Sequence, residues 1–204
     1  SQSACGADVI SRIEAALDGK ASALATAIRT DINNIIGKLA ADADIDAQCI
    51  QHVVITGNTV MLSLLTEQDV EPFSHAPFSA ERLFGETLTA GKLCLSALNS
   101  DIEVYLPPCI AAFIGADTVT ATLASDLCEI PETALLCDIG TNGEMVLWHG
   151  NTLYACSTAA GPAFEGAKIS CGMRGAEGAV DHVWLENGEV KYNTRSKDCA
   201  IVSV

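Results

Sequence analysis

The sequence predicts an α/β chain whose first part alternates helices with buried strands and whose second part is a series of short hairpins. Three observations carry this reading. A continuous apolar run, His52-Val53-Val54-Ile55-Thr56, passes through Gly57-Asn58-Thr59 into a helical segment, the mark of a strand buried on both faces that feeds a helix. A stripe of Leu24, Ile28, Ile32, Ile35, Ile36 and Leu39 follows a helical period ahead of it. Beyond Pro131, Asn142-Gly143, Gly150-Asn151 and Asn187-Gly188 separate short apolar runs, as hairpin turns do.

Each element follows in order. Asp8 to Leu17 reads as a short helix with Val9, Ile10, Ile13 and Leu17 on one face. Gly19-Lys20 breaks it, and Ser22 is placed to cap the longer helix that carries the stripe. Asp42 to Asp46 is an acidic connector on the solvent side. Val60 to Leu65 is the helix fed by the buried strand. Pro72, Phe73, Pro77 and Phe78 suggest an extended arm packed by its aromatic rings, and Leu93 to Leu98 reads as a short helix or strand. His75 lies in that arm with no metal-ligand spacing around it. Val104-Tyr105-Leu106 is a strand stopped by Pro107-Pro108, and Ala111 to Leu127 is helical, with Gly115-Ala116-Asp117-Thr118 near its start, where small residues permit close backbone approach. Three antiparallel strands follow Pro131, at 134–139, 144–148 and 152–157. A glycine-rich stretch, Ala159 to Gly175, leads to a last hairpin from Val180 to Tyr192.

Composition bounds the function. The chain has 204 residues and is 49% hydrophobic, enough for one domain or two small ones with a true core. A net charge of −15 excludes nucleic acid and anionic membrane as partners, since both need a basic face, but a nucleotide held by backbone amides and Mg²⁺ stays compatible. No window approaches a membrane span and no signal peptide is visible. Nine cysteines show no Cys-x-x-Cys pair and no zinc or iron–sulfur spacing. Their apolar neighbours predict buried thiols in a reducing, cytoplasmic setting. The chain starts without methionine and ends on the apolar run Ala200 to Val204, so it reads as a piece of a longer protein.

The chemistry centres on Leu135 to Trp148. A buried strand ends at Asp138, and Gly140-Thr141-Asn142-Gly143 turns into a second strand that opens with Glu144. A strand-end carboxylate beside a glycine-rich turn can offer backbone N–H groups and a metal-orienting acid to a phosphate. The same residues also fit a plain Asn-Gly hairpin with a satisfied aspartate. Gly57-Asn58-Thr59 sits where ligands bind in open α/β sheets, at a strand's carboxyl end and a helix's start. It also fits a plain turn with Thr59 as the cap. Asp117 in a first helical turn is favourable with the helix dipole in any case.

Asp-x-Gly-Thr-x-Gly opening a meander resembles the two-lobed actin, sugar-kinase and Hsp70 superfamily, an RNase H-like ATPase fold that this chain would contain incompletely. The resemblance narrows with five motifs in order. They are Gly6-Ala7-Asp8-Val9-Ile10-Ser11-Arg12-Ile13, Gly57-Asn58-Thr59-x-Met61, Gly115-Ala116-Asp117-Thr118, Asp138 to Glu144, and Ala155 to Ala167. Together they resemble the reductive activators of corrinoid proteins.

That resemblance implies a division into residues 1–130, part of a first lobe, and 131–204, the start of a second. It implies ATP and Mg²⁺ as cofactors, and a [2Fe–2S] cluster in the longer protein but outside this chain. It implies a corrinoid protein or methyltransferase as partner, whose Co(II) is returned to Co(I). Asp138, Gly140, Thr141, Asn142 and Gly143 would form a phosphate loop, with Asp138 orienting Mg²⁺ through water. Gly57, Asn58 and Thr59 would face the cleft, Asp117 would lie on the linking helix, and Gly161, Pro162 and Glu165 would line the mouth. Glu144 or Glu165 would assist hydrolysis. Two other readings stay open: a small-molecule kinase of the superfamily, and a non-catalytic partner-binding or dimerisation domain, with apolar edges that suit a homodimer.

Overall fold

The computed structural model describes residues 6, 8–140, 142–158 and 177–194. The chain divides into two units, Ser1–Asp138 with Glu144–Ser157, and Ile139–Gly143 with Thr158–Val204.

In the first unit, helix α1 (Val9–Ala15) begins with a capping box. The Asp8 carboxylate accepts from the Ser11 amide at 2.8 Å, and the Ser11 hydroxyl accepts from the Asp8 amide at 3.1 Å. A kink follows, where Gly19 takes φ 83°, a conformation open to glycine. Helix α2 (Ala21–Asp42) then starts behind Lys20 with no side-chain cap, so Ser22 lies inside the helix rather than at its cap. The expected cap fails because the kink carries the chain straight from one helix into the next, leaving no extended residue ahead of Ser22.

Strand β1 (His52–Val54) runs into α3 (Thr59–Leu65) as expected. It pairs in parallel with β3 (Glu103–Leu106), which pairs antiparallel with β2 (Glu86–Thr89). The order β1-β3-β2 makes β1 an edge, and Val54 is 62% exposed. The expectation of a strand buried on both faces is therefore corrected: among the described residues one face of β1 is covered and the other is open. Its inner side joins a core of Leu62, Leu65, Leu93, Leu95, Val104 and Leu106, against which Ile28, Ile32 and Ile36 of α2 pack.

Leu93 to Leu98 is neither helix nor strand. It is a chain of turns whose Leu93, Leu95 and Leu98 all enter that core. The aromatic arm is present: Phe73 and Phe78 both stack edge-on against Phe113, with ring centres 6.3 and 5.5 Å apart. Helix α4 is shorter than expected, Ala116–Ala124, because residues 111–114 form a tight bridge first.

The second sheet has the order β4-β5-β6, with β4 Ala134–Ile139, β5 Gly143–His149 and β6 Thr152–Thr158. Gly150 and Asn151 both take positive φ, 54° and 62°, as a two-residue hairpin turn requires. The Trp148 indole N–H donates to the Ile130 carbonyl at 2.8 Å, tying β5 to the segment before β4. In the second unit, β7 (Val180–Glu186) and β8 (Glu189–Thr194) form the expected hairpin, with Asn187 at φ 52° and Gly188 at φ 83°.

The cysteine expectation is corrected. Of the described cysteines only Cys109 is buried; Cys49, Cys94, Cys128, Cys137 and Cys156 are exposed, and all six are free thiols. Apolar sequence neighbours mislead here because successive residues of a strand face opposite ways: Leu136 is half-buried and Cys137 beside it is exposed. Among the described residues no helix is long and apolar enough to cross a membrane.

Candidate nucleotide site

Helix α3 is capped by Asn58, not Thr59. The Asn58 carbonyl oxygen Oδ1 accepts from the Met61 amide at 2.9 Å. Thr59 is fully buried, and its hydroxyl donates to the Ala111 carbonyl at 2.7 Å. Its position is that of a packing residue under the strand-end turn, away from solvent.

The same turn meets the start of α4. The Gly57 carbonyl accepts from the amides of Ala116 and Asp117, at 2.9 and 3.3 Å. The next amide, Thr118, donates to the carboxylate of Asp117 at 2.9 Å. A helix start leaves its first amides without intrahelical partners. Here three of them are occupied by the protein itself, so this helix start is closed to a phosphate.

Three carboxylates share this part of the first unit. Burial holds the Asp117 carboxyl above the ordinary aspartate value; the Thr118 amide opposes this, and the charge of Asp138 adds to it. Burial likewise raises Glu144; the Ser157 hydroxyl, donating to Glu144 Oε1 at 3.0 Å, opposes it, and the charges of Asp117 and Asp138 push it further up. Asp138 lies one residue from the end of β4, and Glu144 is the second residue of β5. Asp117, Asp138 and Glu144 therefore feel one another electrostatically. No Lys or Arg ion pair to any of them occurs among the described residues. Nor does any group of three His, Cys, Asp or Glu there converge closely enough to hold a metal ion directly.

At the hairpin tip the Gly140 amide donates to the Asn142 carbonyl at 2.9 Å, so that N–H is spoken for. Gly143 lies close against β6, where an added Cβ would come 3.3 Å from the Thr158 methyl. Thr141, Gly161, Pro162 and Glu165 lie outside the described residues.

The close backbone approach expected of the small residues from Gly115 is present, and its partner is the Gly57–Asn58 turn, which the sequence does not name. Ser157 stood in a quoted motif without a role. Ser157 had a legible signal, a hydroxyl on the strand beside the one carrying Glu144.

A parallel strand that feeds a helix, followed by a three-stranded meander with a carboxylate near its first strand end, is the arrangement of the actin-like, or ASKHA, ATPase fold, here incomplete. Residues 1–129 match the RACo middle region, and residues 132–201 match the C-terminal domain of RACo, the ASKHA domain. A solved structure named reductive activator for corrinoid,iron-sulfur protein is 36% identical, with a TM-score of 0.78 over 95% of this chain and 31% of its own. The corrinoid activation enzyme RamQ of Eubacterium limosum is 35% identical over 198 residues, 96% of this chain and 33% of RamQ. The [Co(II) methylated amine-specific corrinoid protein] reductase of Methanosarcina barkeri is 31% identical over 153 residues, 71% of this chain and 28% of the reductase. The chain belongs to the family of reductive activators of corrinoid proteins. It spans about a third of the length of the relatives it matches.

Proposed function

We propose that the chain is part of an ATP-dependent reductive activase that returns the Co(II) corrinoid of a corrinoid protein or methyltransferase to Co(I). The observation that carries this is the family match along nearly the whole chain, 1–129 and 132–201, to relatives named for that activity. One electron per cobalt would come from a [2Fe–2S] domain of the longer protein, outside this chain. ATP would be hydrolysed to ADP and phosphate with the two lobes of the full fold closing and opening, which shifts the population of a state able to dock the partner.

The residues fit this division of labour. Asp117, Asp138 and Glu144 form an acidic neighbourhood without a cationic partner among the described residues, suited to Mg²⁺ that keeps its waters. Bound there, Mg²⁺ would neutralise phosphate charge. Asp138 would orient a metal-bound water, and Glu144, kept in place by Ser157, would hold or release a proton at Oε1. Glu165, Gly161 and Pro162 belong to the same proposal through their motif. The expected homodimer rests on apolar edges at both ends of the chain, and residues 1–5 and 195–204 lie outside the described residues.

The test is the full-length protein mixed with Mg-ATP, a reductant and an oxidised corrinoid protein, followed by absorbance. The proposal expects the Co(I) spectrum to build up only when ATP is present. Equal Co(I) formation with and without ATP overturns it.

A further inference from the structure

Gly115 precedes α4 with φ −88° and ψ −174°, an extended conformation open to any residue. Glycine is therefore not there for its backbone freedom. It stands at a helix cap, where Ser, Thr, Asp or Asn would each satisfy an amide, and Gly115 offers no such side chain. The reason is space. A Cβ on Gly115 would come 2.4 Å from Asn58 Cα, 2.6 Å from Asp117 Oδ1 and 2.7 Å from the Gly57 carbonyl oxygen. Two of these are backbone atoms and cannot swing away.

The same closeness brings the Gly57 carbonyl within reach of the Ala116 and Asp117 amides. The carbonyl thus takes over the capping work that a side chain at 115 would do. In doing so it sets the position of the Asp117 backbone, while the Thr118 amide orients the Asp117 carboxylate. A side chain at 115 would push on the strand-end turn and on the carboxylate together.

We propose that Gly115 is a positioning residue for the nucleotide site: lacking a side chain, it lets the Gly57–Asn58 turn seat on the start of α4 and so fixes where the Asp117 carboxylate stands. This rests on the nucleotide-site reading above. Gly115 itself touches no substrate.

The test compares full-length wild type, Gly115→Ala and a core control, Leu93→Ala, whose side chain is buried in the sheet core and is not among the atoms that a Cβ at 115 would meet. Each is melted, and each is assayed for ATP turnover at saturating Mg-ATP and for KM. The inference expects Gly115→Ala to lower kcat at least tenfold while Leu93→Ala, at an equal or larger melting shift, keeps kcat within twofold. Equal kcat in Gly115→Ala and wild type overturns the inference and leaves the nucleotide site standing. Wild type without ATP turnover overturns the site reading itself. Should Gly115→Ala fail to fold, hydrogen exchange on the full-length wild-type protein decides: the Ala116 and Asp117 amides are expected to be protected as strongly as the core amides of β3. Fast exchange at both overturns the inference.

Discussion

The carbonyl of Gly57 accepts from the amide of Ala116 at 2.9 Å, across 59 positions of sequence. This bond joins the turn after β1 to the start of α4 and holds together two of the segments with candidate site residues, Gly57–Thr59 and Asp117. The pairing also gives a physical reason for the order of two motifs that look unrelated in the sequence. The first supplies a carbonyl, the second supplies amides, and Gly115 supplies the space between.

The acidic neighbourhood makes a pH prediction. Asp117 and Glu144 hold their protons to higher pH in the folded chain than in the unfolded one. The folded state binds more protons in that window, so its stability falls as pH rises from the ordinary carboxylate range through the raised folded values. Glu144→Gln removes a charge and keeps an acceptor for Ser157. It should raise the melting temperature at pH 7, by about 2–4 °C for each kcal/mol recovered. The gain should vanish below the ordinary glutamate value of about 4.3. Thermal melts across pH 3 to 8 (a range of about five units around the values above) check this, and a lower melting temperature at pH 7 would count against it.

Thr59 separates packing from ligand contact. Thr59→Val keeps the shape and deletes the 2.7 Å bond to the Ala111 carbonyl in a fully buried place. Denaturant unfolding should show a loss of about 1–3 kcal/mol. If Thr59 instead contacts the nucleotide, the loss will fall mainly on Mg-ATP affinity in the full-length protein.

The arm that carries Phe73 and Phe78 also holds a paired histidine. The hydrogen bond from His75 to Glu71, 2.7 Å long, raises the His75 pKa above its ordinary value. A raised histidine pKa stabilises below the unfolded value and loses that contribution as pH rises through the folded one. An NMR titration of His75 should therefore give a pKa above about 6.5 in wild type, falling back toward it in Glu71→Gln. Identical titrations in the two proteins would remove the pair from the account.

How much of this was legible in the sequence differs by element. The α2 stripe, the break at Gly19 and the hairpin at Asn187-Gly188 were readable because each depends on local periodicity or on a positive φ that few residues accept. Strand β2 was not read, since Glu86-Thr87-Leu88-Thr89 is short and half polar, and its pairing with β3 is a tertiary fact. The apolar run at Val53-Val54 was right about a strand and wrong about its cover, because periodicity does not say which neighbours a strand will have. At the site, the motif residues Asp117, Asp138 and Glu144 were named one by one, but their mutual influence comes from the fold. The small residues from Gly115 were legible as a place of close backbone approach, but which backbone approaches, that of Gly57 and Asn58, is a tertiary fact.

The central claim is that Asp138 acts at an ATP site. ATP turnover by full-length wild type and Asp138→Ala, measured beside matched thermal melts, tests it most directly. Asp138 is exposed at its strand end, so its loss should leave the fold intact. The account predicts turnover lowered on the order of 100-fold with an unchanged melt. Turnover equal to wild type would contradict it.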